Sequence, residues 1–251
     1  MSIIHAFDPH SPEIFTPQHL LSPIEGFPET VLVTFRHKIV QRFIARYSPT
    51  VIKTLHGASP VPIYQAVIDG QAVGLYQTLI GGAGTVGLLE EIIALGGKKF
   101  IFFGSCGTLR KDIAAGHFIL PTAAYRDEGV SYHYAPADED YYPVETQPKL
   151  AQIFTQLQVP FIEGKTWTTD AIYRETRNNM QARRDEGCIC VDMECASIMA
   201  AGHFRGVQIY QYLYGEDTLD GEDWDARTMG KVPPSADDRY LSLAVEIAAR
   251  V

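Results

Sequence analysis

Acidic residues interrupt two apolar stretches in the second half of the chain. Asp192 and Glu194 lie in CICVDMECASIMAAG, and Glu216-Asp217 follows VQIYQYLYG. A carboxylate in an apolar setting is retained when it is paired, hydrogen-bonded or used on a ligand. If residues 190–194 are extended, Asp192 and Glu194 point to the same face. The sequence therefore predicts a ligand site near these acids, with helix capping as the alternative role, above all for Asp192.

Asp217 stands at the carboxyl end of its predicted strand, which is the edge at which α/β proteins bind ligands. The following TLDGEDWD has the composition of a solvated acidic loop. We therefore interpret Asp217 as a candidate catalytic acid and the later acids of this loop as surface charge.

Glycines in GGAGTVGLLEE, residues 81–91, have the Gly82-x-Gly84-x-x-Gly87 spacing of a dinucleotide fingerprint. That fingerprint also needs an acid about 20 residues later for the ribose. This region instead holds Gly104, Ser105 and Cys106. The missing acid argues against an NAD-binding site. GGAG and GSCGT are predicted as loops at the ends of adjacent parallel strands. Such loops let backbone N–H groups approach an anion or a sugar, although tight turns would also explain the glycines.

Periodic apolar segments that alternate between strands and helices predict one α/β domain. A strand at 31–35 leads into a helix, and Asp69-Gly70 indicates a hairpin at 62–80. The glycine segment, a helix and the strand KKFIFFG then form a parallel βαβ unit. Further strands are predicted in HFILPTAAY, VPFIEGKTWTT, CICVDM and VQIYQYLYG, and further helices in KLAQIFTQLQ, ECASIMAAGHF and 239–250. Residues 1–28 are proline-rich and are predicted to form an arm on the domain of residues 29–251.

Composition narrows the class of protein. The chain has 251 residues and a formal net charge of -9, which opposes nucleic-acid binding through phosphate neutralisation. Four cysteines lack the spacing of a metal pair or a disulfide framework and are interpreted as buried thiols. We find no leader segment and no run of about 18 apolar residues, and so expect a cytoplasmic protein without membrane or metal partners.

Together these segments resemble the purine nucleoside and uridine phosphorylase family, which includes the nucleosidases of methylthioadenosine and adenosylhomocysteine. The resemblance covers nearly the whole chain after about residue 30. It implies a single-domain three-layer α/β sandwich, with a mixed twisted central sheet flanked by helices. Its most specific pieces are GGAGTVGLLEE, FFGSCGTL, TTDAIYRET and VDMECAS.

The resemblance assigns roles to the residues singled out above. Met193 would pack against the ribose, and Glu194 would accept hydrogen bonds from its 2′ and 3′ hydroxyls, a task suited to an ionised carboxylate. Asp217 would protonate the departing base, which requires a raised pKa. Ser105 and Gly82 would border the phosphate.

Base and 5′-hydroxyl contacts are implied by the same resemblance. Trp167, Ile172 and Tyr173 would line the base, with packing in the core as the alternative. A histidine of a neighbouring subunit's arm would reach the 5′-hydroxyl. His5 matches best, in competition with His10 and His19. This sharing implies a homo-oligomer, either a dimer or a hexamer built as a trimer of dimers.

The chain departs from the family at the positions that bind phosphate. The three positions at which the family has phosphate-binding arginines hold Ile39, Ser59 and Phe102 in this chain. Phe35 stands where the family has a glycine that contacts phosphate. Arg36 is the favoured replacement, with Lys38 and Arg42 as alternatives. We predict phosphorolysis of a purine or uridine-type nucleoside, with phosphate as co-substrate and no cofactor. Hydrolysis by water and nucleoside binding without turnover stay open.

Overall fold

The computed structural model describes residues 2–57 and 59–251, which fold as a mixed sheet flanked by helices. The strands are β1 (Thr30–Thr34), β2 (Thr50–His56), β3 (Pro60–Ile68), β4 (Gln71–Gln77), β5 (Lys99–Thr108), β6 (Phe118–Asp127), β7 (Tyr141–Pro143), β8 (Phe161–Thr169), β9 (Cys188–Asp192) and β10 (Gln208–Thr218). The helices are α1 (His37–Tyr47), α2 (Gly82–Leu95), α3 (Ser131–Tyr134), α4 (Gln147–Gln156), α5 (Arg177–Asp185), α6 (Cys195–Arg205) and α7 (Pro234–Ala248). Short 3₁₀ helices span Ile3–His5, Pro17–His19 and Ile172–Arg174.

The sheet is parallel at its centre and curls round on one side. β1 pairs in parallel with β4 and β5, and β4, β3 and β2 continue as antiparallel strands. On the other side, β10 pairs in parallel with β5 and antiparallel with β6. Because β6, β8, β9 and β5 also pair in succession, these strands and β10 close into a ring. The ring brings the carboxyl ends of β5, β9 and β10 together.

Apolar cores lie on both faces of the sheet, as a three-layer sandwich requires. On one face α1, α4 and α7 contribute Phe43, Phe154 and Ile247. On the other face α2 and α6 contribute Leu89 and Ile198. The predicted fold class is confirmed. All four cysteines are buried and free, in agreement with their interpretation as thiols.

Two local predictions about the glycine segments are wrong. β1 lies between β4 and β5, so GGAG and the end of β5 do not follow adjacent strands. GSCGT is the last part of β5 and not a loop, because Ser105 pairs with Tyr214 and Gly107 with Asp217 across to β10. Such partners are distant in sequence and cannot be identified from one segment.

The hairpin prediction is confirmed. Asp69 and Gly70 both have positive φ, 49° and 82°, the combination required by a two-residue type I′ turn. The last helix begins earlier than predicted, at Pro234, where a proline fits the first turn because its missing N–H would have no helical partner. Among the residues described, none of the helices is long and apolar enough to cross a bilayer.

Candidate functional site

Glu194 and the first glycines of the 81–91 segment meet where α6 and α2 begin. The backbone N–H of Gly81 donates to Glu194 Oε1 at 2.6 Å. Gly81 has φ 92° and ψ 146°, a conformation essentially restricted to glycine. A Cβ on Gly82 would lie 2.2 Å from Ser197 Oγ of α6, so glycine is needed for the close approach of the two helices. These glycines therefore place a backbone donor on a buried carboxyl.

Glu194 is buried, and its charge is costly there. Burial, followed by the nearby charge of Asp192, raises the pKa of Glu194 to about 8, while the Gly81 N–H opposes this shift. Hydrogen bonds from ligand hydroxyls would stabilise the ionised form and lower the pKa again. The side chain thus suits a ligand that brings donors, such as a sugar diol.

Asp192 caps the start of α6. Its Oδ2 accepts from the backbone N–H groups of Glu194 at 2.8 Å and Cys195 at 2.6 Å. Its Oδ1 accepts from the hydroxyls of Thr166 at 3.0 Å and Thr168 at 2.9 Å. The strand ends at Asp192 and the chain bends before Glu194, so the extended segment on which a common face depended is not formed, and the capping alternative is confirmed for Asp192.

Replacing Asp192 with Ala is expected to destabilise the fold by about 2–4 kcal/mol, because buried donors would lose their acceptor. Urea unfolding would report the change as a lower midpoint with an unchanged slope. Asp138→Ala, at an exposed position, is the matched control. A midpoint for Asp192→Ala equal to that of the control would contradict the capping role.

Asp217 lies half-buried at the end of β10, beside β5. Its Oδ1 would be 3.4 Å from a Cβ on Gly107, and its Oδ2 accepts from the indole Nε1–H of Trp224 at 2.7 Å. Burial raises the pKa of Asp217, and the Trp224 hydrogen bond lowers it to a smaller extent. A carboxyl with a raised pKa at a strand end is suited to proton donation.

Glu175 is a further acid of this region that sequence reasoning did not single out. It follows the 3₁₀ helix Ile172–Arg174 and is half-buried. Burial and the charge of Asp217 raise the pKa of Glu175 to about 7. The signal available in the sequence is an acid within TTDAIYRET, the segment expected to line the base.

The three base-lining candidates lie in different environments. Trp167 is 1% exposed, packs in a core cluster with Leu109 and Val191, and donates its indole N–H to Asp127 at 2.9 Å. This environment matches the alternative of core packing and leaves little surface for a base. Ile172 and Tyr173 are exposed on the 3₁₀ helix, 42% and 95% respectively, where a ligand can reach them.

The remaining predicted ligand residues are accessible to different degrees. Ser105 is exposed near the end of β5, and Met193 is half-buried between Asp192 and Glu194. His5 is exposed in the 3₁₀ helix Ile3–His5, which contacts α3 of its own chain. Its reach into a neighbouring subunit stays a prediction.

Arg36, the predicted phosphate ligand, lies between β1 and α1 and is engaged by two acids. Its Nε donates to Asp237 Oδ1 at 3.0 Å and its Nη1 to Glu216 Oε1 at 2.8 Å. The ring of Phe35 faces β5, since a Cβ on Gly104 would lie 2.8 Å from Phe35 Cδ2. A phosphate would therefore compete with two carboxylates for Arg36 and would meet an apolar ring.

The alternative cations are placed less favourably. Arg42 pairs with Asp238 at 3.4 Å, and Lys38 is exposed on α1. For metals, the described residues 2–57 and 59–251 contain no cluster of three or more His, Cys, Asp or Glu side chains arranged to hold an ion.

A mixed sheet between two helical layers, with Glu194 and Asp217 at or just after the ends of its strands, defines an α/β protein with a candidate small-molecule site at that edge. The family model described as the phosphorylase superfamily matches residues 40–248. The chain therefore belongs to the phosphorylase superfamily, and the resemblance stated from its motifs is confirmed.

Individual relatives are moderately similar. The chain is 26% identical over 150 residues to a guanosine phosphorylase of Halorubrum lacusprofundi, an alignment that covers 58% of this chain and 61% of the relative. It is 30% identical over 182 residues to a purine nucleoside phosphorylase of Plasmodium vivax, covering 68% and 71%. The alignments to the first relatives thus span about three fifths of their length or less.

Solved structures support the fold. An AMP nucleosidase from Bacteroides thetaiotaomicron superposes with a TM-score of 0.69 at 21% identity, covering 89% of this chain and 87% of that one. A purine nucleoside phosphorylase from Toxoplasma gondii, crystallised with immucillin-H, gives 0.73 at 19% identity, covering 90% and 92%. At these identities the likeness concerns the fold alone.

Proposed function

We propose that this protein cleaves the N-glycosidic bond of a purine nucleoside with phosphate and releases the free base and ribose 1-phosphate. The observation that carries the proposal is the placement of Glu194. Its buried carboxyl follows β9 and accepts from the Gly81 N–H at 2.6 Å, and the paired strands β5 and β10 of the same ring carry Ser105 and Asp217. The chain thus combines a group for a sugar diol with an acid for a leaving base.

The chemistry follows from the charges that develop as the bond breaks. The sugar gains positive charge as an oxocarbenium-like ion, and the base gains electrons. Glu194 orients the ribose through its hydroxyls, and Asp217 supplies the proton to the base, so that a neutral base leaves. Phosphate attacks C1′ from the side of Ser105 and of the α2 N-terminus, where backbone N–H groups favour an anion.

The choice of phosphate is supported by similarity. The relatives from Halorubrum and Plasmodium are both named phosphorylases. Hydrolysis is the second candidate and is favoured by a specific observation, namely the ion pairs that Arg36 forms with Glu216 and Asp237. Water needs no guanidinium partner, whereas phosphate usually binds to one or more arginines.

Incubation with inosine, adenosine, guanosine, uridine and methylthioadenosine, with and without phosphate, tests these candidates. We expect base release from a purine nucleoside to depend on phosphate and to be matched by ribose 1-phosphate. Base release that is independent of phosphate and yields free ribose would contradict phosphorolysis and favour hydrolysis. If thermal shifts report binding without base release, the protein binds nucleosides without turnover.

Other properties belong to the same proposal. A purine is favoured over uracil because Asp217 is an acid suited to a base that leaves with an added proton. We also propose a cytoplasmic homo-oligomer that needs no cofactor beyond phosphate, in which His5 of one subunit reaches the sugar bound by another. Size-exclusion chromatography with light scattering would measure the assembly.

A further inference from the structure

The loop after β10 carries a tryptophan onto Asp217. Residues 219–233 connect β10 to α7, and an isolated antiparallel bridge pairs Thr218 with Asp225. Trp224 lies at the loop tip and is 60% exposed, yet its indole Nε1–H donates to Asp217 Oδ2 at 2.7 Å. A large aromatic residue is therefore kept near the surface by a polar contact to the candidate acid.

The two flanks of this loop are tied to the body of the protein. Asp220 accepts from the backbone N–H of Lys111 at 2.8 Å and from Arg184 Nη1 at 2.6 Å. Arg227 donates to the carbonyls of Lys111 at 3.0 Å and Ile113 at 2.6 Å. Because both flanks are held, the position of the indole relative to β10 is set by the fold.

We propose that Trp224 is a positioning residue for Asp217, which holds Oδ2 and leaves Oδ1 to carry the proton that is transferred to the base. This role rests on the proposed function and on the chemistry of the indole donor. An indole N–H can donate but cannot accept, so Oδ2 is an acceptor whether Asp217 is ionised or neutral. A carbonyl oxygen accepts a hydrogen bond better than the hydroxyl oxygen of the same neutral acid, so the Trp224 N–H favours the proton on Oδ1, the oxygen 3.4 Å from a Cβ placed on Gly107 of β5.

Other charged groups around Asp217 act in both directions. Glu175 follows the 3₁₀ helix, and its pKa is raised in part by the charge of Asp217. Asp225 lies on the same loop as Trp224, and its negative charge raises the pKa of Asp217. Arg227 lowers it. The charge of Asp217 in turn adds to the burial that raises the pKa of the adjacent Glu216, and it contributes in a minor way to the raised pKa of the Cys106 thiol of β5. Trp224 differs from these groups because it bonds to one particular oxygen.

Kinetics of Trp224→Phe and Trp224→Ala test the proposal, since both variants lose the N–H and only Phe keeps a ring. We expect kcat to fall by about 10-fold in both with KM changed less than about 3-fold. The N–H favours the ionised acid, so its loss should raise the pKa of Asp217 and move the alkaline limb of kcat to higher pH. Glu222→Gln, at the same exposed tip, is the control. If Trp224→Phe has the kcat of the wild type and the same alkaline limb in its pH profile, the proposal is overturned.

Tryptophan emission gives a second readout that does not need turnover. Emission of the wild type should change with pH as Asp217 titrates, and the change should disappear in Asp217→Asn and Trp224→Phe while buried Trp167 contributes a constant signal. If the emission of the wild type does not change with pH, the contact between Trp224 and Asp217 is overturned. If the transition is present but no nucleoside is cleaved, the proposed function and the proton-transfer role fail and only the contact stands. If base is released and Trp224→Phe behaves as wild type, the positioning role alone fails.

Discussion

Asp217→Asn is expected to lower kcat for base release by about 100-fold to 10,000-fold, the range over which general acids contribute. Asparagine preserves the size of the side chain and can still accept the Trp224 N–H, but it has no proton to transfer. Nucleoside affinity should change little, because the lost step occurs as the bond breaks. Steady-state kinetics and isothermal titration with the same nucleoside would separate the two effects.

The pH profile sharpens this prediction. Turnover needs Asp217 protonated, and its pKa is raised by burial, so kcat should decline as the pH rises through that pKa. Asp217→Asn should have a low rate and should lack this limb. Asp223→Asn, at an exposed position of the same loop, is expected to retain both rate and limb. Full activity in Asp217→Asn would remove Asp217 from the mechanism.

Glu194→Gln is expected to lower kcat/KM by about 100-fold or more. The carboxylate would accept from two ribose hydroxyls, and charge-assisted hydrogen bonds contribute about 1.5–3 kcal/mol each. Glutamine retains one carbonyl acceptor for the Gly81 N–H but presents an N–H₂ group to the sugar. Wild-type kcat/KM in Glu194→Gln would contradict sugar binding by this residue, with Glu91→Gln on α2 as the control.

The same substitution should stabilise the empty protein at alkaline pH. The pKa of Glu194 rises from 4.5 to about 8 on folding, so the folded state holds a proton that the unfolded chain releases. The contribution of this proton to wild-type stability is therefore fully present below pH 4.5 and is lost as the pH rises to about 8. Relative to wild type, Glu194→Gln should gain on the order of 2–4 kcal/mol of stability between pH 5 and pH 9. The Tm of each protein, measured at both pH values, would report this as a larger Tm advantage of the variant at pH 9. Equal Tm differences at both pH values would contradict the buried proton.

Substrate binding and stability thus oppose each other at Glu194. The glycines at 81 and 82 bring two helix starts so close that the carboxyl is shut away from water, which makes its ionisation costly. Ligand hydroxyls would repay this cost by hydrogen bonding to the charged form. The pH dependence of nucleoside affinity should therefore show tighter binding as the pH rises towards 8.

Local patterns in the sequence determined much of the fold. Alternation and helical periodicity located most strands and helices, and Asp69-Gly70 determined a hairpin, because these features depend on residues close together in the chain. The motifs also singled out Glu194 and Asp217 as candidates, since a carboxyl in an apolar run has few roles. A dinucleotide site was rejected on the same local grounds.

Only the tertiary structure decided which groups meet. β1 inserts between β4 and β5, Asp192 turns to cap α6, Glu194 turns to Gly81, and Arg36 pairs with Glu216 and Asp237. Each of these outcomes depends on partners that are distant in sequence or on a turn of a few residues, and periodicity carries no information about either. Whether a carboxyl or a guanidinium is free for a ligand is set by such partners, so the sequence alone determined the type of chemistry and the packed fold decided which atoms are available for it.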